Sequence, residues 1–149
     1  MLFMKQGIQT NFPDADLKAA GCHYFALMKY LEIKHGVIFS LENLTNYFKA
    51  ALKEGTMGFS PADKLRGVGD NCNVLDAPGL LNMVLKEKVY TKYQRDIKTR
   101  PDDDLCIVRL VKPGITHFIT DYKGMTFDPL NPMRAAALTY TVDSYRILN

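Results

Sequence analysis

Apolar residues in the first half of the chain recur with the period of an α-helix. Between Gly21 and Lys34, apolar side chains fall on one face at the spacing of successive helical turns. These residues are Tyr24, Leu27, Met28 and Leu31. Further apolar residues fill most of the opposite side, which is typical of a buried, central helix. The helix is predicted to stop at His35-Gly36, because glycine commonly follows the last helical turn.

Two more helices are predicted by their capping residues. Ser40 begins one that ends at Gly55, with one apolar and one polar face, which indicates a surface helix. Asp76 begins another, whose apolar positions run to Leu85. The glycine-rich stretch between them holds Ser60-Pro61-Ala62-Asp63, the signature of a single capped turn. We therefore expect a long functional loop there.

From residue 89 onward the pattern changes to short runs rich in β-branched and aromatic residues, which predict strands. The predicted strands are Val89–Tyr93, Leu105–Val111, Thr116–Tyr122, Met125–Phe127 and Ser144–Leu148. Leu105–Val111 is apolar on both faces except at Arg109, so it is predicted to be a central strand. Helices followed by strands predict an α+β fold in which the helices pack on a C-terminal antiparallel sheet.

The length of 149 residues corresponds to one domain, spanning residues 1–149. Hydrophobic residues make up 47% and charged residues 23%, as in an ordinary globular protein. No run of apolar residues has the length of a signal peptide or a membrane helix, so we expect a cytoplasmic protein with no membrane partner. Three cysteines at wide spacing fit neither a disulfide framework nor a metal knuckle, and we expect no metal or other cofactor.

The net charge of +3 is too small to indicate a nucleic-acid partner. One basic stretch, Lys86 to Arg100, contains interleaved tyrosines. Basic residues with aromatic residues among them can bind single-stranded nucleic acid. Three consecutive aspartates follow it and cancel most of its charge. We therefore interpret it as a solvated edge strand, where lysine protects against aggregation.

Cys22 is the first candidate for chemistry, because it follows Gly21 at the predicted start of the central helix. A helix N-terminus carries unpaired N–H groups and partial positive charge, which favour the thiolate over the thiol. Cys72 is expected on the exposed loop and is the second candidate nucleophile, whereas Cys106 is expected to pack within its strand. The neighbouring His23 is expected to be structural, because no second metal-ligand pair accompanies it.

A histidine and an aspartate flank the predicted hairpin at Lys123-Gly124. If Tyr122 faces Met125 across a two-residue turn, Asp128 lies opposite Ile119 and diagonal to His117 on the same face. A carboxylate that accepts a hydrogen bond from one imidazole nitrogen leaves the other free to act as a base. Together with a nucleophilic cysteine, this pair makes a Cys-His-Asp triad.

These features, in this order, resemble the papain-fold cysteine peptidases, particularly the bacteriocin-processing (double-glycine leader peptidase-like) type. The resemblance runs from about Ile8 to Pro129 and rests on these segments of the chain: Gln9, Gly21-Cys22, Leu105–Val111, His117-Phe118-Ile119 and Asp128-Pro129. It implies that Cys22 is the nucleophile, His117 the general acid and base, and Asp128 the residue that orients the histidine. By the same resemblance Gln9 is an oxyanion donor.

The implied activity is amide hydrolysis through a thioester intermediate, with a peptide or protein as substrate. The same triad would also serve a hydrolase or amidase that cleaves peptidoglycan peptides, or an acyltransferase. A different class remains open: a catalytically inactive papain-like binding module that reads a peptide along its edge strand. The two classes differ in whether Cys22 is required.

Overall fold

The computed structural model describes residues 4–130 and 140–149. The helices are α1 (Ala15–Ala20), α2 (Cys22–His35), α3 (Leu41–Glu54), α4 (Pro61–Arg66) and α5 (Ala77–Leu85). The strands are β1 (Met57–Gly58), β2 (Asn73–Val74), β3 (Tyr93–Ile97), β4 (Leu105–Lys112), β5 (Ile115–Tyr122), β6 (Met125–Phe127) and β7 (Thr141–Leu148). Helices dominate the first half and a sheet the second, so the predicted α+β class is confirmed.

Helix α2 is the buried central helix that its sequence predicts. Side chains on every side of it are buried, including Tyr24, Phe25, Leu27 and Leu31. It ends where expected, because Gly36 adopts a left-handed conformation (φ 69°) and donates its N–H to the Glu32 carbonyl. The helix is fixed to the sheet by a hydrogen bond of 2.7 Å from the Thr120 hydroxyl to the carbonyl of Ala26.

The other predicted caps also form. Ser40 and Asn43 make a reciprocal capping box at the start of α3, and Gly55 ends that helix. Asp76 caps α5 by accepting a hydrogen bond of 3.0 Å from the N–H of Gly79. Ser60 caps α4 within the glycine-rich stretch, which also contributes the short antiparallel pair β1–β2. The expected loop therefore contains more regular structure than its composition suggests.

The main sheet is antiparallel, with strand order β3-β7-β4-β5-β6. Strand β4 lies at its centre, as its two apolar faces predict, and β3 lies at an edge with mostly exposed residues, as expected for the basic stretch. The main hydrophobic core joins α2, α3 and α5 to one face of this sheet. Smaller apolar residues on β4 and β5, among them Cys106, Val108 and Ile119, form a second cluster.

The predicted strand Val89–Tyr93 is wrong except for its last residue. The strand begins only at Tyr93. Thr91 and Lys92 bond to the backbone of Asn149, and the two residues before them bond to a side chain. The Asn82 carboxamide accepts hydrogen bonds from the N–H groups of Val89 and Tyr90 and donates one to the Tyr90 carbonyl. Asn82 thus satisfies the backbone groups that a strand would pair, which sequence periodicity does not reveal.

Within the described residues, no helix combines the length and apolar character needed to cross a membrane.

Candidate active site

Cys22 is the first residue of α2, as the sequence predicts. The shorter helix α1 ends at Ala20, and Gly21 separates the two helices. The first hydrogen bond of α2 runs from the Phe25 N–H to the Gly21 carbonyl (2.9 Å), so the N–H of Cys22 precedes the intrahelical ladder. Its thiol is free and partly exposed at the positive end of the helix dipole.

The hairpin has the register expected from its two-residue turn. Tyr122 pairs with Met125 and Thr120 with Phe127, while Lys123 and Gly124 both adopt positive φ angles. This register carries Asp128 to the position diagonal to His117. The two side chains meet in a hydrogen bond of 2.7 Å between His117 Nε2 and Asp128 Oδ1. The structure therefore brings together the histidine and the carboxylate that sequence spacing selects.

Cys22 completes the group by interacting with the His117 side chain. Because Nε2 of His117 is bonded to Asp128, Nδ1 is the nitrogen available to the thiol. Burial alone lowers the pKa of His117, but hydrogen bonds to Asp128 and Cys22, with the charges of both groups, raise it to about 9. The imidazolium form of His117 is therefore favoured at neutral pH.

The Asp128 carboxylate is held in place by the backbone around it. Its Oδ1 also accepts a hydrogen bond of 3.0 Å from the Leu130 N–H. The Gln6 side chain bonds the backbone at the end of the hairpin. Its Oε1 accepts a hydrogen bond from the Asp128 N–H, and its Nε2 donates one to the Thr126 carbonyl. Gly7 donates its N–H to the Asp128 carbonyl at 2.9 Å. Sequence reasoning missed Gln6, because no local signal links residues that far apart in the chain.

Gln9 lies in the same N-terminal segment and is only 1% exposed. Its backbone N–H donates to the Pro129 carbonyl (2.9 Å), which brings it beside the hairpin end that carries Asp128. Its Nε2 donates to the carbonyl of Lys18 at 3.2 Å, and no described residue bonds its Oε1. One N–H of the amide is thus left for another acceptor. The oxyanion role of Gln9 stays a prediction.

Tyr140 is a further residue at the site that the sequence did not single out. The centre of its ring lies 5.7 Å from the centre of the His117 ring. The ammonium nitrogen of Lys112 lies 4.7 Å from the centre of the same Tyr140 ring. Burial and the charges of Asp128 and Cys22 raise the pKa of Tyr140. Tyr140 therefore lies beside the His117 ring at the candidate site.

The remaining cysteines have surroundings unlike those of Cys22. Cys72 was expected to be exposed, but this is wrong: it is 3% exposed, and its thiol approaches the Asp16 carbonyl at 3.4 Å. Burial and neighbouring carboxylates raise the pKa of Cys72 to about 12. Cys106 is buried within β4 as predicted, and burial raises its pKa also. Neither thiol has the surroundings of a nucleophile.

His23 has the structural role that its sequence context predicts. Its ring stacks on Phe118 with centroids 3.7 Å apart, and its Nε2 is 2.8 Å from the Tyr93 hydroxyl. Burial, followed by the charges of three arginines, lowers the pKa of His23 to about 3, so the ring is neutral. Among the described residues, no cluster of three or more histidine, cysteine or acidic side chains is arranged to hold a metal ion.

A groove of about 560 Å³ lies away from this site, between the second half of α2 and the β5–β6 hairpin. Its lining includes Ile33, Val37, Met125, Phe127 and Gln6. Since Gln6 also bonds Asp128, that side chain connects the groove to the candidate active site.

Comparisons with protein-family models, curated proteins and solved structures give no match to this chain.

Proposed function

We propose that the protein is a papain-like thiol hydrolase that cleaves an amide bond with the triad Cys22, His117 and Asp128. The observation that carries this proposal is the hydrogen bond of 2.7 Å from His117 Nε2 to Asp128, on an imidazole that also interacts with Cys22. An oriented histidine beside a thiol at a helix N-terminus matches what covalent acyl transfer requires. The bacteriocin-processing peptidases remain the type that the sequence resembles.

In the proposed reaction the Cys22 thiolate attacks the carbonyl carbon of the substrate amide and forms a tetrahedral intermediate. The His117 imidazolium then gives its proton to the amide nitrogen, so the C–N bond breaks and the amine leaves. The acyl group remains on Cys22 as a thioester. His117, now neutral, removes a proton from water, whose oxygen attacks the thioester carbon. The C–S bond then breaks, which releases the carboxylic acid and returns the Cys22 thiolate beside the His117 imidazolium.

Two donors are suited to the negative oxygen of the tetrahedral intermediate. The Cys22 N–H precedes the first hydrogen bond of α2 and is available to it. The second donor is Gln9, whose amide has an N–H beyond the one bonded to Lys18. A single donor of this kind typically lowers the barrier by about 2.7–4 kcal/mol. On this proposal Asp128 takes no part in proton transfer and only orients His117.

The experiment that tests the proposal compares wild type with Cys22→Ala on a peptide library derived from a digested proteome and on purified peptidoglycan. Mass spectrometry of the products identifies any new amide cleavage. We expect cleavage by wild type and none by Cys22→Ala, since the missing sulfur removes the covalent step. Cys72→Ala is the matched control, because it removes a thiol that lies outside the site, and it should cleave like wild type.

Two results would reject the hydrolase. One is a set of products that Cys22→Ala forms as well as wild type does. The other is wild-type protein that cleaves neither substrate and whose Cys22 reacts no faster with alkylating agents than Cys72. The inactive binding module would then be the better interpretation, and Cys22→Ala should keep the biological effect in a complementation assay.

A further inference from the structure

Asp128 lies just beyond the part of the hairpin that the sheet holds. Strand β6 is an edge strand, and it pairs with β5 only from Met125 to Phe127. Asp128 is the next residue, and its carboxylate bonds His117 at 2.7 Å. The orientation of the imidazole depends on that bond, so it depends on where the backbone of Asp128 is held. A contact other than strand pairing therefore fixes this position.

The N-terminal segment supplies that contact. The Gln6 Oε1 accepts a hydrogen bond from the Asp128 N–H, and the Gly7 N–H donates one of 2.9 Å to the Asp128 carbonyl. Both backbone groups of Asp128 are thus bonded by two consecutive residues from the other end of the chain. Among the described residues, Gln6 and His117 are the only two whose side chains bond Asp128.

The Gln6 carboxamide takes the place that a peptide group of a further strand would have. Backbone groups of alternate residues point to opposite sides of a strand. Since Met125 and Phe127 pair with β5, the groups of Thr126 and Asp128 point away from it. The carboxamide carries an acceptor and donors on one planar group. It accepts the Asp128 N–H and donates to the Thr126 carbonyl, and so it bonds two groups on this outer edge.

We infer that Gln6 is a positioning residue of this hydrolase, which holds Asp128 where its carboxylate orients His117. This inference rests on the proposed function. Both bonds of the carboxamide lie in exposed positions, so water can replace them at little cost in stability. Water does not fix the backbone, however. The loss of Gln6 should therefore affect the coupling between Asp128 and His117 more than the stability of the fold.

The test is Gln6→Met, which keeps the length of the side chain and removes both its donor and its acceptor. Asp128 and Cys22 both raise the pKa of His117, and the Tyr140 ring lies beside it; the variant retains all three. NMR titration of the His117 ring should give a pKa lower than in wild type by about half to one pH unit, as loss of one ordinary hydrogen bond would cause.

The rate of amide cleavage is the second readout for Gln6→Met. We expect kcat to fall roughly five- to tenfold, which is the factor that one ordinary hydrogen bond contributes when it acts on the barrier. KM should stay within about twofold of wild type, because a residue that acts through Asp128 does not contact the substrate.

The matched control is Thr126→Val, which removes another exposed hydrogen bond from the same hairpin. The Thr126 hydroxyl donates to the Asp121 carboxylate at 2.8 Å, while the Thr126 carbonyl stays available to Gln6. This control should keep the wild-type pKa of His117 and the wild-type kcat. Equal effects of the two variants would show that any loosening of the hairpin disturbs the site, and they would overturn the inference. An unchanged pKa of His117 in Gln6→Met would overturn it too.

A measurement on wild-type protein covers the case in which Gln6→Met does not fold. NMR detects scalar coupling across a hydrogen bond, and we expect it between the Asp128 amide nitrogen and the side-chain carbonyl carbon of Gln6. Coupling between the Gly7 nitrogen and the Asp128 carbonyl carbon is the internal control. The second coupling without the first would contradict the role of Gln6. Absence of amide cleavage by wild type would instead reject the hydrolase, and the pKa of His117 would still decide whether Gln6 positions Asp128.

Discussion

The thiol of Cys22 differs from the other two cysteine thiols in both exposure and neighbours. It is partly exposed beside a histidine whose pKa is raised, whereas Cys72 and Cys106 are buried. We therefore expect iodoacetamide at pH 6 to alkylate Cys22 much faster than either of the others in the native protein. Mass spectrometry of tryptic peptides after timed labelling measures the three rates. Equal rates, or a Cys22 that reacts only after unfolding, would contradict the assignment of Cys22 as nucleophile.

His117 gives a second prediction at the scale of a residue. Its pKa is raised to about 9 in the folded protein, from about 6.5 in an unfolded chain. The folded state therefore binds the extra proton more tightly, and this stabilisation is full below pH 6.5 and lost as pH rises through about 9. Its size is on the order of 3 kcal/mol, since one pKa unit corresponds to about 1.4 kcal/mol. Activity that depends on the imidazolium should decline over the same upper range.

NMR titration of the His117 ring measures this pKa directly, and urea unfolding at pH 6 and pH 10 measures its effect on stability. Asp128→Asn is the informative variant, because it removes the carboxylate charge and keeps the shape. The stability advantage of wild type over Asp128→Asn should be larger at pH 6 than at pH 10. A ring that titrates near 6.5 in wild type would refute the coupling among Cys22, His117 and Asp128.

At the scale of elements, the junction between α1 and α2 fixes the position of Cys22. A Cβ atom added at Gly21 would lie 2.6 Å from the Leu17 carbonyl oxygen and 3.0 Å from the Phe25 ring. Gly21→Ala should therefore separate the two helices and lower stability by about 1–3 kcal/mol. We also expect a large loss of amide cleavage, since the same shift displaces the thiol from His117.

Gly58→Ala is the matched control for Gly21→Ala. Its added Cβ would make an ordinary contact of 3.6 Å with Leu75, and the residue lies far from Cys22 along the chain. Its free energy of unfolding, measured by chemical denaturation, and its rate of peptide cleavage should both be close to those of wild type. If Gly21→Ala retained full stability and activity, close packing at the junction would not be what positions Cys22.

At the scale of the whole molecule, one core joins the helices to the sheet. Leu31 of α2 is fully buried in it together with Ile107 of β4. We expect Leu31→Ala to lower the free energy of unfolding by about 2–5 kcal/mol. If the helices and the sheet unfold together, the free energy of unfolding should fall by the same amount when it is measured in either part.

Native-state hydrogen exchange, read by mass spectrometry on peptides from α2 and from β4–β5, tests this cooperativity. Leu65→Ala is the control, because Leu65 is 90% exposed and its truncation should change stability by less than about 0.5 kcal/mol. Loss of protection confined to α2 in Leu31→Ala would show that helices and sheet are separate cooperative units.

The sequence alone determined the features that depend on local chemistry. Caps at Ser40 and Asp76, the left-handed glycine after α2 and the two-residue hairpin turn all follow from short-range rules. The hairpin register then set Asp128 diagonal to His117, because side chains alternate with a period of two. The α+β class and the central position of β4 followed from the same periodicities.

Only the tertiary structure decided the features that depend on distant residues. The Asn82 side chain took the backbone groups of Val89 and Tyr90 from the expected strand, and packing against α1 buried Cys72. Gln6 bonds Asp128 although the two lie near opposite ends of the chain, and Arg146 lies close to the rings of Phe118 and Tyr93. These contacts are set by how the layers pack, and a periodic pattern in one segment carries no information about its partners.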